Sequence, residues 1–256
     1  MKTFLTITLM LFSSYFLNAQ EQTYQGGELL KFRVHYGWFN ASHASLKVTA
    51  EELNGHPVYH IKGHGESIGL LDLFFEVNDT YESYISQASM LPLKFVRNIN
   101  EGGYTKHNII YYDQENQKAK VHNLKDQTVK TFKTKPDVQD MISIVYHLRN
   151  NISTHLNEKG DSFVVNMFFD ENNYKFKTVY LGQEIIDSEF GEIKCIKLRP
   201  YVQAGRVFKE QESLTIWVSA GRNKVPIKIK AKLAVGSLTA DLEGYENLKY
   251  PLETLE

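Results

Sequence analysis

The sequence predicts a mainly β fold: an antiparallel barrel or two facing curved sheets, with one central helix. Three observations carry this prediction. Apolar and polar residues alternate with period two over most of the chain. Turn-forming residues punctuate the alternating runs. One stretch alone changes to helical spacing.

Composition sets the outer bounds. The 256 residues include 29 Lys or Arg against 30 Asp or Glu, 15 Tyr, 15 Phe, 2 Trp and a single Cys. That is too much aromatic surface for a disordered chain and too even a charge for a dedicated nucleic-acid binder. One Cys excludes a disulfide framework and a thiolate zinc cluster. At the N-terminus, Lys2 precedes an uncharged run from Phe4 to Leu17, then Asn18-Ala19 and the polar Gln20-Glu21-Gln22-Thr23. This reads as a secretory signal peptide over residues 1–19. The run is shorter than the roughly 20 residues that cross a bilayer, so the mature chain is not expected to span a membrane. A single β-rich domain is expected over residues 20–256, in a periplasmic or secreted location.

The strands follow from the alternation. Leu30, Phe32, Val34, Tyr36 and Trp38 share one face, against Lys31, Arg33, His35 and Gly37 on the other. Ala44, Leu46, Val48 and Ala50 repeat the pattern, and so do Val225, Ile227, Ile229, Ala231 and Leu233 against Pro226, Lys228, Lys230 and Lys232. One dry and one wet face fit antiparallel sheet better than parallel. Asn54-Gly55 predicts a type I′ hairpin, with further turns at Lys125-Asp126 and Gly221-Arg222-Asn223. About fourteen strands result.

Met141, Ile142, Val145, Leu148 and Ile152 fall at helical spacing and predict the helix, over about 138–152. Pro136 stands just upstream, Asp137 is placed to cap the first turn, and Asp140 adds favourable charge there. Ile68 to Phe74 could add one further turn. The helix separates two stretches that echo each other, 28–113 and 161–246. Pro92 and Pro226 are 134 residues apart and Gly103 and Gly236 are 133 apart, which raises an internal duplication.

Few residues carry chemistry. Gly65-Glu66-Ser67-Ile68-Gly69 matches the G-x-S-x-G nucleophile elbow, but that motif needs a strand, a helix and a parallel sheet with a later Asp and His. No His follows His155, so a hydrolase is not expected. His56, His60 and His64 recur every fourth residue, yet on a strand they would stand roughly 13 Å apart, too far to share one ion. They are expected to be solvated or paired across strands, and a site drawn from His35, His107 and His122 has no support in the pattern. Cys195, on a strand, is expected to pack as a small apolar residue. Lys228, Lys230 and Lys232 line one strand face, with Lys194 and Lys197 on another. The stripe reads as a solvated face, the sharper alternative being a contact for anionic lipid headgroups or acidic glycan. Arg97 falls in phase with Leu93, Phe95 and Ile99; a strand end that emerges into water is the preferred reading, and Glu76 and Glu101 are candidate local partners if the face is buried.

Several segments together are familiar. Gly27-Glu28-Leu29-Leu30-Lys31-Phe32-Arg33-Val34-His35-Tyr36-Gly37 and Asp79-Thr80-Tyr81-Glu82-Ser83-Tyr84-Ile85 come first. Gln139-Asp140-Met141-Ile142-Ser143 follows with Tyr146 and Leu148-Arg149, then Ile216-Trp217-Val218-Ser219. Arg222-Asn223-Lys224-Val225-Pro226-Ile227-Lys228-Ile229 with Val235-Gly236-Ser237 closes the series. In this order they resemble a secreted bacterial family of unknown function, DUF-3108, over nearly the whole mature chain. The resemblance implies an envelope location and a β-rich fold, and it defines no catalytic residue.

The first functional expectation is a binding or carrier protein without catalysis or cofactor. Its guest would be an apolar small molecule or lipid, in a cavity lined by Phe32, Tyr36, Trp38, Phe95, Arg97 and Phe176. The alternative is a structural or interaction module of the envelope with a solid core and a protein partner. Nucleic acid and metal are not expected as ligands.

Overall fold

The computed structural model describes residues 22–69, 76–201, 213–233 and 235–255. The predicted signal segment, the second half of the chain from Ile68 to Phe74 and most of the connection after Tyr201 lie outside the described residues. The strands are β1 (Leu29–Tyr36), β2 (Phe39–Leu53), β3 (His56–Ser67), β4 (Asn78–Ser86), β5 (Pro92–Glu101), β6 (Tyr104–Asp113), β7 (Lys118–Asn123) and β8 (Thr128–Lys133). Helix α1 (Ser143–His155) follows. Then come β9 (Ser162–Phe169), β10 (Asn172–Ser188), β11 (Gly191–Tyr201), β12 (Leu214–Ser219), β13 (Pro226–Lys232) and β14 (Ser237–Glu246). The antiparallel, mainly β prediction with one helix describes what the chain forms.

Topology is a double meander. The order is β8-β7-β6-β5-β4-β3-β2-β1-β14-β13-β12-β11-β10-β9 in one sheet. β1 is hydrogen-bonded on both sides, to β2 and to β14, so the first strand of the chain joins its two halves. The sheet is barrel-like but not closed, since β8 and β9 end it without pairing each other. The segment between β8 and α1 ties these edges together. Lys135 N–H donates to Asn173 Oδ1, and Asn173 Nδ2 donates to the Lys133 carbonyl. Gln139 N–H donates to the Asn166 carbonyl, and Phe168 N–H donates back to Gln139.

Those bonds explain why α1 starts at Ser143 rather than near 138. Gln139 spends both backbone groups on the β9 edge, the Val138 carbonyl accepts from Gln114 Nε2, and Asp137 has φ +51°, outside the helical region. The capping residue is therefore Asp140, not Asp137. Asp140 Oδ1 accepts N–H bonds from Ile142 (2.8 Å) and Ser143 (2.7 Å), while Oδ2 accepts from Ser83 Oγ (2.6 Å).

The two halves share a local construction. Ser86 and Ser219 each accept or donate across the turn to the residue before a proline. The bonds are Ser86 N–H to Leu91 O and Ser219 N–H to Val225 O. Met90 (φ +58°) and Lys224 (φ +50°) hold the left-handed position in each. Pro92 and Pro226 then open β5 and β13, each beside a register shift in the partner strand, where a missing N–H is tolerated. Asn54 (φ +52°) and Gly55 (φ +83°) form the expected tight hairpin.

The interior is filled by α1. Ile142 and Tyr146 join Tyr24, Val48, Ile61, Ile85, Phe95 and Ile110 in the core of the first half. Ile152, further along the helix, and Leu156, just past its end, join Tyr180, Ile196, Leu198 and Val218 of the second. A separate cluster gathers Leu30, Phe32, Ile193, Cys195, Trp217, Ile227 and Leu242, with Leu248 and Leu252 of the C-terminal tail against it.

At the centre lies a buried ion pair. Arg149 of α1 is 2 % exposed and Glu28 is fully buried. Nη1 donates to Glu28 Oε1 (2.6 Å) and Nη2 to Oε2 (2.9 Å), a bidentate pair. The remaining guanidinium donors reach the carbonyls of Asn223 and Thr23, and the rings of Tyr24 and Tyr146 flank the cation. Asn223 in turn donates from Nδ2 to the Tyr250 carbonyl and accepts from Tyr250 N–H. One side chain thus joins the N-terminal segment, the helix, the β12–β13 turn and, through Asn223, the tail.

Two outcomes follow. Arg149→Met strands a buried carboxylate and should cost about 3–5 kcal/mol in urea denaturation, with Glu28→Leu/Arg149→Met less unstable than Arg149→Met alone. For Asp140, burial is the strongest influence and raises the carboxyl to about 6, against the bonds from Ser143, Ser83 and Ile142 that favour its charged form. The folded chain therefore holds this proton more tightly than the unfolded chain, where the value is about 3.9. The stability it contributes is complete below that value and is lost as pH rises through about 6. Between about pH 4 and about pH 7, the wild type should lose on the order of 3 kcal/mol more than Asp140→Asn.

Candidate functional site

The six residues expected to line one cavity occupy several places. Phe32 and Phe95 are buried, but in different clusters. Phe176 is half-buried on β10, near the edge of the sheet. Tyr36 and Trp38 lie at the β1–β2 tip, exposed, because the oily face of β1 continues past the core into solvent. Arg97 pairs with Asp170 at the β9–β10 turn (2.6 Å), against the ring of Phe169, and Lys106 shares the same carboxylate. The space beside Phe95 and Arg97 measures about 10 Å³, room for about one water molecule. The partner of Arg97 comes from 73 residues away rather than from Glu76 or Glu101, a pairing that only the approach of β9 to β5 creates.

The candidate nucleophiles sit in structural roles. Ser67 ends β3, and its Oγ accepts from Val77 N–H (2.8 Å), a bond that ties the end of β3 to the segment leading into β4. His60 pairs with Glu82 (2.8 Å) and Glu51 (3.3 Å) and stacks on Tyr84 across the strand. His64 meets Thr80 and Glu66, and His56 is exposed. Cys195 is fully buried, which pushes its thiol up to about 12. A thiol held so far from ionisation is a poor nucleophile.

Two surface features stand out. The first is a cleft of about 320 Å³ where the end of β10 crosses β1, β13 and β14. Ile186, Ile227 and Leu242 form its floor, and Arg33, Asp187, Glu189, Lys228 and Asp241 its rim. Apart from Asp187, the rim charges are paired among the described residues: Arg33 with Glu189 (3.2 Å), and Lys228 (3.4 Å) and His35 (2.8 Å) with Asp241. A charged guest would have to displace one of these partners. Sequence patterning missed this cleft because Ile186–Glu189 and Arg33 are brought together only by the fold.

The second is the end of the sheet carrying the β1–β2 and β13–β14 turns. Trp38 is 85 % exposed and stacks on the half-exposed Phe39, with ring centroids 3.9 Å apart. Tyr36 Oη donates to the Val235 carbonyl (3.0 Å), locking the two hairpin tips together. Gly236 (φ +69°) permits this crossing, since a Cβ there would meet the Tyr36 hydroxyl at 2.5 Å. Lys228 of the lysine stripe is paired with Asp241, whereas Lys230 and Lys232 are exposed.

These features define a β-barrel-like protein whose interior is closed by its own helix. Residues 31–243 match the model of the family described as "Protein of unknown function (DUF3108)", and the chain belongs to that family. Among solved structures, the chain is similar to a β-barrel-like protein of the DUF1849 domain from Brucella abortus. That match has a TM-score of 0.55 at 7 % identity, over 87 % of this chain and 98 % of that one. The chain also aligns with a candidate lipoprotein of Parabacteroides distasonis, at a TM-score of 0.37 and 13 % identity, over 88 % of this chain and 98 % of that one. A candidate exported protein of Bacteroides fragilis aligns at 0.30 and 8 %, over 87 % and 97 %. The first likeness supports the fold, and the latter two are too distant to carry an argument. No curated protein matches the chain.

The burial of Cys195 gives a direct check. In the native protein at about pH 8 the thiol should resist iodoacetamide, and mass spectrometry should detect the adduct only after unfolding.

Proposed function

We propose that this chain is a non-catalytic interaction module of the cell envelope, built on a solid core, with its working surface at the exposed ends of the sheet. The observation that carries this reading is the placement of α1. Its Tyr146, with Ile142 just before it, packs into the first half of the rolled sheet, and its Ile152, with Leu156 just after it, into the second, where a carrier would keep room for its guest. The aromatic interior expected for an apolar ligand is instead spent on helix packing, with about 10 Å³ left beside Phe95 and Arg97. Apolar ligand sites of the usual kind run to about 300–1,000 Å³ of largely apolar lining. The cleft of that size here is rimmed by charges, all but Asp187 of them paired.

Export is the companion part of the reading. It rests on the charged start, the short apolar run and Ala19 in the sequence. The absence of catalysis rests on the structural employment of Ser67, His60 and Cys195.

Native mass spectrometry of protein purified from its own envelope tests the core. The expected result is the bare mass of the processed chain. A co-purifying lipid or other apolar guest at stoichiometric occupancy would restore the carrier reading.

A further inference from the structure

Single exposed apolar side chains are ordinary on protein surfaces. The β1–β2 and β13–β14 tips present a group of them, pre-arranged. Trp38 and Phe39 stack, Tyr36 crosses to the neighbouring tip through its bond to Val235, and Val235 itself is 76 % exposed. The oily faces of β1 and β13 feed this end: Leu30, Phe32, Val225 and Ile227 are buried, and the same alternation then runs on past the core. Core packing therefore does not account for Trp38 or Val235.

Charge on the two tips themselves has one sign. Residues 34–40 and 229–239 contain no Asp or Glu. They contain Lys230 and Lys232, which lie on one face of β13 in step with Lys228 and make no ion pair among the described residues. Asp241, the first carboxylate beyond, is engaged by His35 and Lys228. A protruding aromatic pair flanked by free lysines suits the boundary between headgroups and acyl chains. There indole rings settle favourably, and lysines extend their ammonium groups to anionic headgroups. Protein interfaces share the aromatic enrichment but are typically depleted in lysine, which favours the lipid surface here.

We propose that the paired hairpin tips, through Trp38, Phe39 and Val235 with Lys230 and Lys232, dock the protein on an anionic phospholipid surface. This names the partner of the interaction module proposed above and rests on that reading. The protein should lie on the membrane by a few side chains, without spanning it.

Vesicle co-sedimentation tests it, using phosphatidylethanolamine vesicles with and without phosphatidylglycerol. The wild type should bind the anionic vesicles, release as salt is raised, and show a blue shift of Trp38 emission against the constant signal of the buried Trp217. Trp38→Ala/Phe39→Ala should lower partitioning at least about tenfold and abolish the shift. Lys230→Glu/Lys232→Glu should lower it about tenfold on anionic vesicles. Both double variants alter exposed side chains, so an unchanged thermal midpoint should accompany the loss. No binding to anionic vesicles overturns the proposal, as does binding indifferent to phosphatidylglycerol and to both variants. Selective loss of one protein partner by Trp38→Ala/Phe39→Ala, without vesicle binding, overturns it too, by placing the tips in a protein interface. The native mass spectrum decides the solid-core reading separately, so failure of either is distinguishable.

Discussion

The fold depends on the bidentate contact between Arg149 and Glu28. A fourteen-stranded sheet that does not close by hydrogen bonds needs something else to hold its halves around a common interior. The helix supplies that, and Arg149 fixes the helix. Its guanidinium joins segments that are 121 residues apart at Glu28 and 74 apart at Asn223, with two tyrosine rings excluding water from the cation. In so dry a setting the pair is costly to separate and gives little advantage over apolar packing of the same shape, so its value lies in specifying one arrangement. Arg149 and Asn223, within the residues that match the family model, meet at this point with Glu28, which lies just before them.

That constraint shapes where function can reside. With the interior given to α1, the remaining opportunities are at the surface, and the two ends of the sheet differ. One end gathers the helix, the terminal segments and the β12–β13 turn around Arg149. The opposite end carries hairpin tips in which apolar alternation outlasts the core. Among the described residues, that second end combines exposed aromatic surface with lysines that make no ion pair. A module held rigid at one end and adhesive at the other is the functional picture these features support.

Much of the sheet was legible because the period-two pattern is a local property. Asn54-Gly55 announced its hairpin, and Pro92 and Pro226 marked the starts of equivalent strands. The helix was legible in kind and misplaced at its start, since Gln139 bonds to β9 in a way that no local pattern reveals. Arg149 stood in plain sight within the apolar stripe of Val145, Leu148 and Ile152, a charged residue where the helix turns inward. Its partner could not be read, because Glu28 is far away in sequence. The proposed cavity lining failed as a group for a similar reason. Alternation tells which residues share a strand face, but not whether that face meets a helix, a second sheet half or water, and Phe32, Phe95 and Trp38 met three different neighbours.

By itself, then, the order of residues determined the antiparallel strands, their turns, the presence of one helix and the membership of a family. Those features arise from contacts a few residues apart. The tertiary structure alone decided that the sheet stays open, that the helix fills it, that Arg97 pairs with Asp170, and that two hairpin tips lock into one aromatic platform. Each of these is a meeting of segments distant along the chain, and such meetings are chosen by the packing of the whole molecule.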